Sequence, residues 1–452
     1  MVVQKFGGTS VADPEAIRRL IEIVRIARTR DGRGPVVVVS AMSKVTDALL
    51  GIATTAGAGR PGEALPRIDE LRERHAAAVR ALVSGQAQAP LLAHIAGQFD
   101  QLADIVRALA ILREVSARSL DVVAAMGELL SSRIIAAALT EAGVPADWVD
   151  ARCAIVTDGE HTRATPLGPE TRSALRTSLT PVLDAGRVAV LGGFVGATAD
   201  GHTTTLGRGG SDYSGAIVGA GIDAREIQIW TDVDGMLSAD PRVVASPRLI
   251  AQLSFAEAAE LAYFGAKVLH PSTILPAVER NIPVRILNSW KPEGTGTLIT
   301  AQNGEAGARL TGLASKKDVT IIDITSTRML MAYGFLRRVF EVFERFRTAV
   351  DMVTTSEVSV SVTVDDRRNV DAIVHALSEF SEVSIEGDLA LLCAVGDSLQ
   401  EEPEIAARVV SVLEEVPLKM ISQAASRRNI TVVLRQSDLP HAMQRLHEEF
   451  FA

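Results

Sequence analysis

The chain opens with short apolar runs that alternate with amphipathic stretches. VVQKF at 2–6 is strand-like and ends at paired glycines, and residues 12–29 repeat isoleucine and leucine at helical spacing after Asp13-Pro14. PVVVVSAM at 35–42 is a continuous apolar run, typical of parallel strands that are buried on both faces. This alternation predicts an α/β domain with a mostly parallel sheet.

Helical periodicity then extends from about residue 63 to 141, and strand-like segments return after it. The predicted strands are 146–151, 154–158, 188–196, 226–235 and 283–290, and the helices between and after them are 169–184, 212–220, 255–265 and 271–280. One doubly wound α/β domain is therefore predicted for residues 1–298.

A glycine-rich, weakly patterned stretch at 294–310 marks a candidate boundary. From 319 to 387 the order is strand, helix, strand, strand, helix, strand, and most of that set recurs roughly 70 residues later. This recurrence predicts two ferredoxin-like (βαββαβ) modules, placed at 309–388 and 389–452.

Composition narrows the class of partner. The 452 residues include 46 basic and 55 acidic side chains without a dense Lys/Arg tract, which disfavours a nucleic-acid partner. Cys153 and Cys393 lie far apart, so neither a disulfide framework nor a zinc site is indicated. No signal peptide and no apolar run of bilayer-spanning length is found. We therefore expect a cytoplasmic chain with no membrane partner.

HTTTLGRGGSDYSG at 202–215 lies between a predicted strand and a predicted helix. Glycines at such a turn let backbone N–H groups converge, and the helix N-terminus favours a phosphate or a carboxylate. Arg208 could add a two-pronged contact to the same anion. The alternative is a tight turn in which Ser211 or Asp212 only caps the helix.

KFGGTS at 5–10 lies at the end of the first predicted strand and could likewise be an anion-binding turn or only a structural one. Lys5 could hold phosphate oxygens beside the glycines, or it could be a solvated lysine at a turn. Neither GxxxxGK[ST] nor GxGxxG occurs, so the usual NTPase and dinucleotide folds are not supported.

WTDVDGMLSADPR at 230–242 places Asp232, Asp234 and Asp240 in a loop after a strand. Aspartates in such a loop either form turns or meet a nucleotide and its Mg²⁺, and taken alone the pattern favours turns.

Two other positions are open to more than one interpretation. Glu128 lies among small apolar neighbours on a predicted helix, where it could pair with a buried arginine or bind a substrate ammonium group. FGAKVLHPS at 264–272 places Lys267 and His270 near a helix end, and we interpret His270 as a packing or capping residue.

Together, KFGGTS, HTTTLGRGGSD, WTDVDG with DPR, and FGAKVLHP resemble the aspartokinases of the amino acid kinase family, over nearly the whole chain. The resemblance implies a three-layer α/β/α sandwich followed by two ACT domains, as in the monofunctional, lysine-sensitive type. It implies transfer of the ATP γ-phosphoryl group to the β-carboxylate of L-aspartate, giving 4-phospho-L-aspartate, the first step towards lysine, threonine and methionine. It also implies Mg²⁺ bound to the nucleotide, and a homodimer or homotetramer formed through the ACT domains.

The same resemblance implies roles for individual residues, with no metal ligand set on the protein. Catalysis would involve Lys5, Arg208 and Asp212. Aspartate would contact Thr46, Glu128, Phe194, Arg208 and Asp212. ATP would contact Lys5, Gly7, Gly8, Thr231, Asp232, Arg242 and Lys267. Leu237 stands where some relatives carry a tyrosine beside the nucleotide.

For the regulatory half, the resemblance implies a lysine site. The matching positions are Met329, Gly334, Phe335, Leu336, Asp351, Thr355, Ser356 and Glu357. Met331, Ala332 and Tyr333 replace more polar residues, so effector identity stays open. The rival hypotheses are a catalytically silent amino-acid sensor, a kinase of another carboxylate or carbamate, and ACT modules that only dimerise.

Overall fold

The computed structural model describes residues 1–265, 269–301, 310–326, 333–399, 401–423 and 427–451. The chain forms two compact units, the first from Met1–Met236 with Leu269–Gln302 and the second from Leu237–Val268 with Asn303–Ala452. The first unit thus differs from the predicted domain 1–298. Segment 237–268 joins the second unit because Ala239 and Val244 are buried in the same apolar core as the C-terminal helix.

The elements are numbered in chain order. The helices are α1 (Pro14–Asp31), α2 (Val45–Gly57), α3 (Pro61–Leu82), α4 (Gly85–Leu112), α5 (Ala117–Glu141), α6 (Gly168–Asp184), α7 (Gly210–Gly221), α8 (Phe255–Tyr263), α9 (Leu275–Glu279), α10 (Phe335–Arg345), α11 (Val370–Ser378), α12 (Pro403–Val412) and α13 (Leu439–Phe451). The strands are β1 (Val2–Phe6), β2 (Val36–Val39), β3 (Ala146–Trp148), β4 (Val156–Thr157), β5 (Val188–Gly192), β6 (Val195–Thr198), β7 (Thr203–Thr205), β8 (Glu226–Thr231), β9 (Gln252–Ser254), β10 (Val284–Asn288), β11 (Thr297–Thr300), β12 (Leu310–Thr325), β13 (Val353–Thr355), β14 (Ser359–Val364), β15 (Glu382–Gly396), β16 (Leu418–Ser422) and β17 (Asn429–Arg435).

The main sheet of the first unit runs in the order β3-β5-β2-β1-β8-β10-β11. Neighbouring strands are parallel from β3 to β10, and only β10 and β11 are antiparallel. Val3 of β1 aligns with Val36 on one side and with Ile227 on the other. The predicted, mostly parallel sheet is therefore confirmed, with β1 near its centre.

Helices cover both faces of this sheet. Phe6 belongs to a core shared with α1 to α5, whereas the stem of Lys5, on the opposite face of β1, packs against Gly215 of α7. Glycines let α7 lie close to the sheet: a Cβ at Gly219 would come within 2.5 Å of Ile227. These contacts confirm the three-layer α/β/α sandwich.

Helix α5 is the central helix of the larger core. Among the described helices it alone is long and apolar enough to cross a membrane, yet 78% of its apolar window is buried inside the structure. We interpret α5 as a core helix, since Ile134 and Ile135 have no exposed surface.

A small three-stranded sheet, β4-β6-β7, lies at the end of the predicted strand 188–196. The prediction of one continuous strand is wrong, because Phe194 adopts a left-handed φ of 65° and separates β5 from β6. Strand β7 was not predicted; it pairs antiparallel with β6 and leads into the glycine-rich turn before α7.

The second unit contains a six-stranded antiparallel sheet in the order β13-β14-β12-β15-β17-β16. Two separate cores pack on it: one includes Ile322 and Phe335, and the other includes Leu313, Leu392 and residues of α13. The two ferredoxin-like modules are therefore confirmed.

The long strands β12 and β15 serve both modules. Their N- and C-terminal halves contribute to different cores, with register shifts between Lys316 and Ile321. The second module thus includes the first half of β12, although the rest of that module follows the first module in sequence. The predicted division between residues 388 and 389 falls inside β15.

We expect Ile134→Ala to lower the free energy of unfolding of the first unit by about 2–5 kcal/mol, because it leaves a cavity in the core. Urea titration followed by tryptophan fluorescence measures this, since Trp148, Trp230 and Trp290 all belong to the first unit.

Ile26→Ala is the matched control, because Ile26 is 54% exposed on α1 whereas Ile134 is 0% exposed on α5. We expect the control to cost less than about 1 kcal/mol. Equal losses in the two variants would contradict the packing described here.

Candidate active site

Lys5 lies on the central strand of the sheet, and its side chain is only 8% exposed. Its Nζ forms an ion pair with Asp212 Oδ1 at 2.6 Å. Gly215, one turn along α7, makes room for the lysine stem: a Cβ there would lie 3.2 Å from Lys5 Cβ. The buried cation therefore has its counter-charge on the first turn of α7.

The turn before α7 carries Arg208 between two glycines. Gly207 and Gly209 adopt left-handed φ values of 75° and 72°, which are favourable for glycine. Gly209 is the N-cap of α7, so the helix N-terminus and the acidic Asp212 face this turn. Arg208 itself is exposed. The structure thus places the exposed Arg208 immediately before the N-terminus of α7.

Contacts with α7 stabilise the strained, left-handed conformation of Phe194. Its N–H donates to Ser214 Oγ at 2.8 Å, and that hydroxyl donates to the Gly210 carbonyl at 2.9 Å. A Cβ at Gly210 would come within 2.6 Å of the Phe194 ring, so only glycine allows this approach. Strained residues of this kind cluster at functional sites.

The glycine pair Gly192 and Gly193, at the end of β5, lies close to both α5 and α7. A Cβ at Gly192 would lie 2.9 Å from the Glu128 carbonyl oxygen of α5, and a Cβ at Gly193 would lie 2.9 Å from Ser211 Cα of α7. Both obstacles are backbone atoms, which cannot move aside cheaply. The pair therefore allows Glu128 and the start of α7 to share one pocket.

Glu128 is 3% exposed, in the middle of α5. Burial raises the pKa of Glu128 to about 8, although the Ala41 N–H, the Lys5 charge and the Thr46 hydroxyl act in the opposite direction. Its Oε2 has no hydrogen-bond partner within the described part of the chain. A buried acceptor without a donor is suited to receive one from a ligand.

These side chains line one pocket of about 300 Å³. It brings together all six residues assigned to aspartate or catalysis: Lys5, Thr46, Glu128, Phe194, Arg208 and Asp212. Ser40 and Ser211 also line it and were not predicted as site residues. Ser40 follows β2 directly, so its position at the carboxyl end of a buried parallel strand was the available signal.

The residues assigned to the nucleotide are only partly brought together. Gly7 donates its N–H to the Trp230 carbonyl at 2.9 Å, so the turn after β1 lies beside the end of β8. Thr231 ends β8 and the exposed Asp232 follows it. Arg242 belongs to the second unit and pairs with Asp240 at 2.6 Å. Lys267 lies outside the described residues.

Two other candidates have structural partners. Asp234 accepts from Asn288 Nδ2 at 2.6 Å and pairs with Lys291 Nζ at 2.9 Å, so it fixes the loop after β8. His270 Nδ1 lies 2.7 Å from Ser272 Oγ at the start of a short 3-10 helix. In the described residues no group of three or more His, Cys, Asp or Glu side chains could hold a metal ion.

The positions assigned to an effector have different surroundings. Gly334 is the left-handed N-cap of α10, Phe335 is buried in the core that includes Ile322, and Leu336 is exposed. Ser356 Oγ lies 2.7 Å from Ser359 Oγ in the turn between β13 and β14, and the neighbouring Thr355 and Glu357 are exposed. Met329, Met331 and Ala332 lie outside the described residues.

Asp351, one of the positions assigned to an effector, has several close contacts. Its side chain is 2% exposed and its Oδ1 pairs with Lys316 Nζ at 2.6 Å. The Tyr263 hydroxyl donates to the same oxygen at 2.8 Å, and the Lys316 ammonium lies 4.1 Å from the Tyr263 ring centroid. Burial and the bond to Asp351 raise the pKa of Tyr263, so the hydroxyl stays a donor.

The sequence matches known proteins over its full length. The model of the amino acid kinase family matches residues 1–288, and an ACT domain model matches residues 392–450. Aspartokinase 3 (chloroplastic) of Arabidopsis thaliana is 36% identical, covering 99% of this chain and 81% of the relative. Lysine-sensitive aspartokinase 3 of Escherichia coli is 34% identical, covering 100% of this chain and 99% of the relative. The chain belongs to the aspartokinases.

Solved aspartokinase structures share this fold. The crystal structure of E. coli aspartokinase III with aspartate and ADP (R-state) has a TM-score of 0.84 at 34% identity, with 100% of both chains covered. The same enzyme with lysine and aspartate (T-state) gives 0.83 at 34% identity with the same coverage. Clostridium acetobutylicum aspartate kinase gives 0.84 at 26% identity, also over 100% of both chains. The predicted aspartokinase fold and family are confirmed.

We expect Glu128 of this aspartokinase to carry a proton at pH 7 and to lose it as the pH rises through about 8, because its pKa is raised. Infrared difference spectra should show the carbonyl band of a protonated carboxyl group that disappears over this range. Glu128→Gln should abolish the band, whereas Glu63→Gln, at an exposed position, should leave it unchanged. A fully ionised Glu128 at pH 7 would contradict the desolvation described above.

Proposed function

We propose that this chain is an aspartate kinase that transfers the γ-phosphoryl group of ATP to the β-carboxylate of L-aspartate. The observation that carries the proposal is the pocket in which the Lys5–Asp212 ion pair, the buried Glu128 and the exposed Arg208 meet. The named relatives support the substrate: one crystal structure of similar fold contains aspartate and ADP.

Aspartate presents one ammonium and two carboxylate groups, and the pocket offers a partner for each end. Arg208 would contact the α-carboxylate through two N–H groups. Glu128 Oε2, which has no hydrogen-bond donor in the described residues, would accept from the α-ammonium. The arriving cation stabilises the ionised form of Glu128, which would then release its proton to solvent. Thr46 and Phe194 would border the bound amino acid.

The reaction then forms a bond between a β-carboxylate oxygen and the γ-phosphorus and breaks the bond from that phosphorus to the β,γ-bridging oxygen. ADP leaves with the electron pair. A carboxyl group with an ordinary pKa near 4 is already ionised at neutral pH, so no general base is needed. The protein must align two anions and offset their repulsion, which Lys5 and the amides at the start of α7 would do.

MgATP is the proposed second substrate. Lys5, Gly7 and Gly8 would cradle its phosphates: a Cβ at Gly7 would lie 3.6 Å from Lys5 Nζ, and a Cβ at Gly8 would lie 3.3 Å from the Ala41 carbonyl. Side chains at these positions would fill the space over the turn. We assign Thr231, Asp232, Arg242 and Lys267 to the nucleotide as part of the same proposal, with Mg²⁺ bound to the phosphates.

We expect the purified protein to form ADP when supplied with MgATP and L-aspartate, and to leave L-glutamate and N-acetylglutamate unphosphorylated. Lys5→Met should lower kcat about 100-fold or more, because the charge that stabilises the transferring group is lost. Arg208→Ala should raise the KM for aspartate about tenfold or more, since a charged hydrogen-bonding group is removed. Coupled detection of ADP measures both.

Arg107→Ala is the control for Arg208, because Arg107 is an exposed arginine on α4 that pairs with Asp104. Its kinetic constants should equal those of the wild type. Phosphorylation of another carboxylate with none on aspartate would overturn the assignment, and a protein that binds amino acids without forming ADP would be the silent sensor.

We further propose that L-lysine inhibits the enzyme by binding at Gly334, Phe335, Leu336, Asp351 and the 355–357 turn. A relative named lysine-sensitive and a similar structure that contains lysine support this effector. Because Asp351 Oδ1 already pairs with Lys316 and accepts from Tyr263, a lysine ammonium group that binds this oxygen would compete with both donors. The bond from Tyr263 would therefore favour the lysine-free state.

Tyr263→Phe should lower the lysine concentration that gives half-maximal inhibition about tenfold, because one competing hydrogen bond to a charged group is removed. The KM for aspartate without lysine should stay unchanged. Arg107→Ala again serves as the control, since this exposed arginine lies on α4 of the first unit. An unshifted inhibition curve for Tyr263→Phe would exclude this competition. If lysine did not inhibit the wild type, the lysine proposal would be wrong, and threonine, methionine and S-adenosylmethionine would be tested as effectors.

Assembly and location belong to the same proposal. We propose a homodimer or homotetramer that forms through the regulatory sheet, whose edge strands are β13 and β16. Exposed Leu336 and Phe340 lie one turn apart on α10 and add apolar surface to this unit. Cys153 and Cys393 are both free, in keeping with a reducing compartment such as the cytoplasm.

A further inference from the structure

Asp121 is a buried carboxylate that the proposed reaction does not use. It lies on the same helix as Glu128 and on the same face, because residues two turns apart align along a helix. Its side chain has no exposed surface. A carboxylate in such a place is costly unless several donors satisfy it.

Three donors from two chain segments meet at Asp121. The Thr205 hydroxyl, at the end of β7, donates to Oδ1 at 2.5 Å. His161 Nδ1 lies 2.6 Å from Oδ2, and the Thr162 N–H donates at 3.0 Å to Oδ1. The carboxylate thus joins α5, the strand that enters the glycine-rich turn, and the separate loop 158–165.

The loop 158–165 holds a conformation that needs such support. Thr162 adopts a left-handed φ of 70°, unusual for a residue with a branched Cβ. The Thr162 N–H is captured by Asp121, and the neighbouring Ala164 N–H donates to the Thr205 carbonyl at 2.9 Å. Both ends of this tight turn are therefore tied to α5 and β7.

This supported turn packs directly against the residue that precedes Arg208. A Cβ at Gly207 would lie 3.2 Å from the Thr162 carbonyl oxygen and 3.6 Å from Arg163 Cα. Thr205 and Gly207 thus both rest on atoms that Asp121 holds in place. The exposed side chain of Arg208 has many rotamers, so the position of its backbone decides where the guanidinium group can reach.

We propose that Asp121, with His161 and Thr205, is a positioning residue that fixes the 206–209 turn and thereby directs Arg208 to the α-carboxylate of aspartate. The proposal rests on the function proposed above. Asp121 touches neither the pocket nor the reacting groups, so its effect should fall on aspartate binding and much less on the chemical step or on ATP.

Asp121→Asn and Thr205→Val test the proposal by steady-state kinetics with each substrate varied. We expect each to raise the KM for aspartate about tenfold, while kcat and the KM for ATP change less than about twofold. His161→Ala should show the same split, and His161→Asn should recover part of the loss because its amide can donate again. Thr203→Val, two residues earlier in β7, is the matched control and should behave as the wild type.

Hydrogen exchange of the ligand-free protein gives a readout that does not depend on activity. Asp121→Asn should speed amide exchange in 159–165 and 206–209 at least several-fold and leave the rest of α5 unchanged. Unchanged exchange and an unchanged KM for aspartate would overturn the proposal, as would a fall in kcat with KM unaltered. If the wild type did not phosphorylate aspartate, the proposed function would fail, while the exchange measurement would still decide whether Asp121 holds the turn.

Discussion

The ion pair between Lys5 and Asp212 is the interaction on which the pocket depends, because it joins the central strand of the sheet to the first turn of α7. An ammonium group this deeply buried requires a counter-charge, and α7 can supply one only if its first turn reaches the strand end. Gly210 and Gly215 allow that approach. The strained Phe194 and Gly193 also contact the start of α7 and accommodate the same approach.

The ion pair also sets the electrostatic state of the ligand-free pocket. Lys5 and Asp212 neutralise each other, and the raised pKa of Glu128 leaves that carboxyl group uncharged at neutral pH. The exposed guanidinium group of Arg208 is then the charge that faces solvent. An anionic substrate therefore meets a net positive pocket, and at neutral pH the buried acid ionises mainly when a cationic group arrives.

Local patterns predicted several of the residues that line the pocket. Lys5, Glu128 and Arg208 were identified because glycine turns at strand ends and an acid within an apolar helix are visible in a short stretch of sequence. Strand β7 and the left-handed Phe194 were missed, since both depend on contacts with α7 and β6 that have no local signal. The membership of 237–268 in the second unit was missed for the same reason: Ala239 and Val244 gain their burial from residues far along the chain.

The repeat in the regulatory half was recognised because its strands and helices recur, but periodicity says nothing about which strands pair. The pairing of β12 with β15 joins both cores through two continuous strands. A fragment ending at residue 388 would keep half of β15 and leave the first half of β12 without its partner. Neither regulatory module is thus a separable part: shortening, swapping or tagging one at the apparent repeat boundary would cut through the backbone that the other one uses.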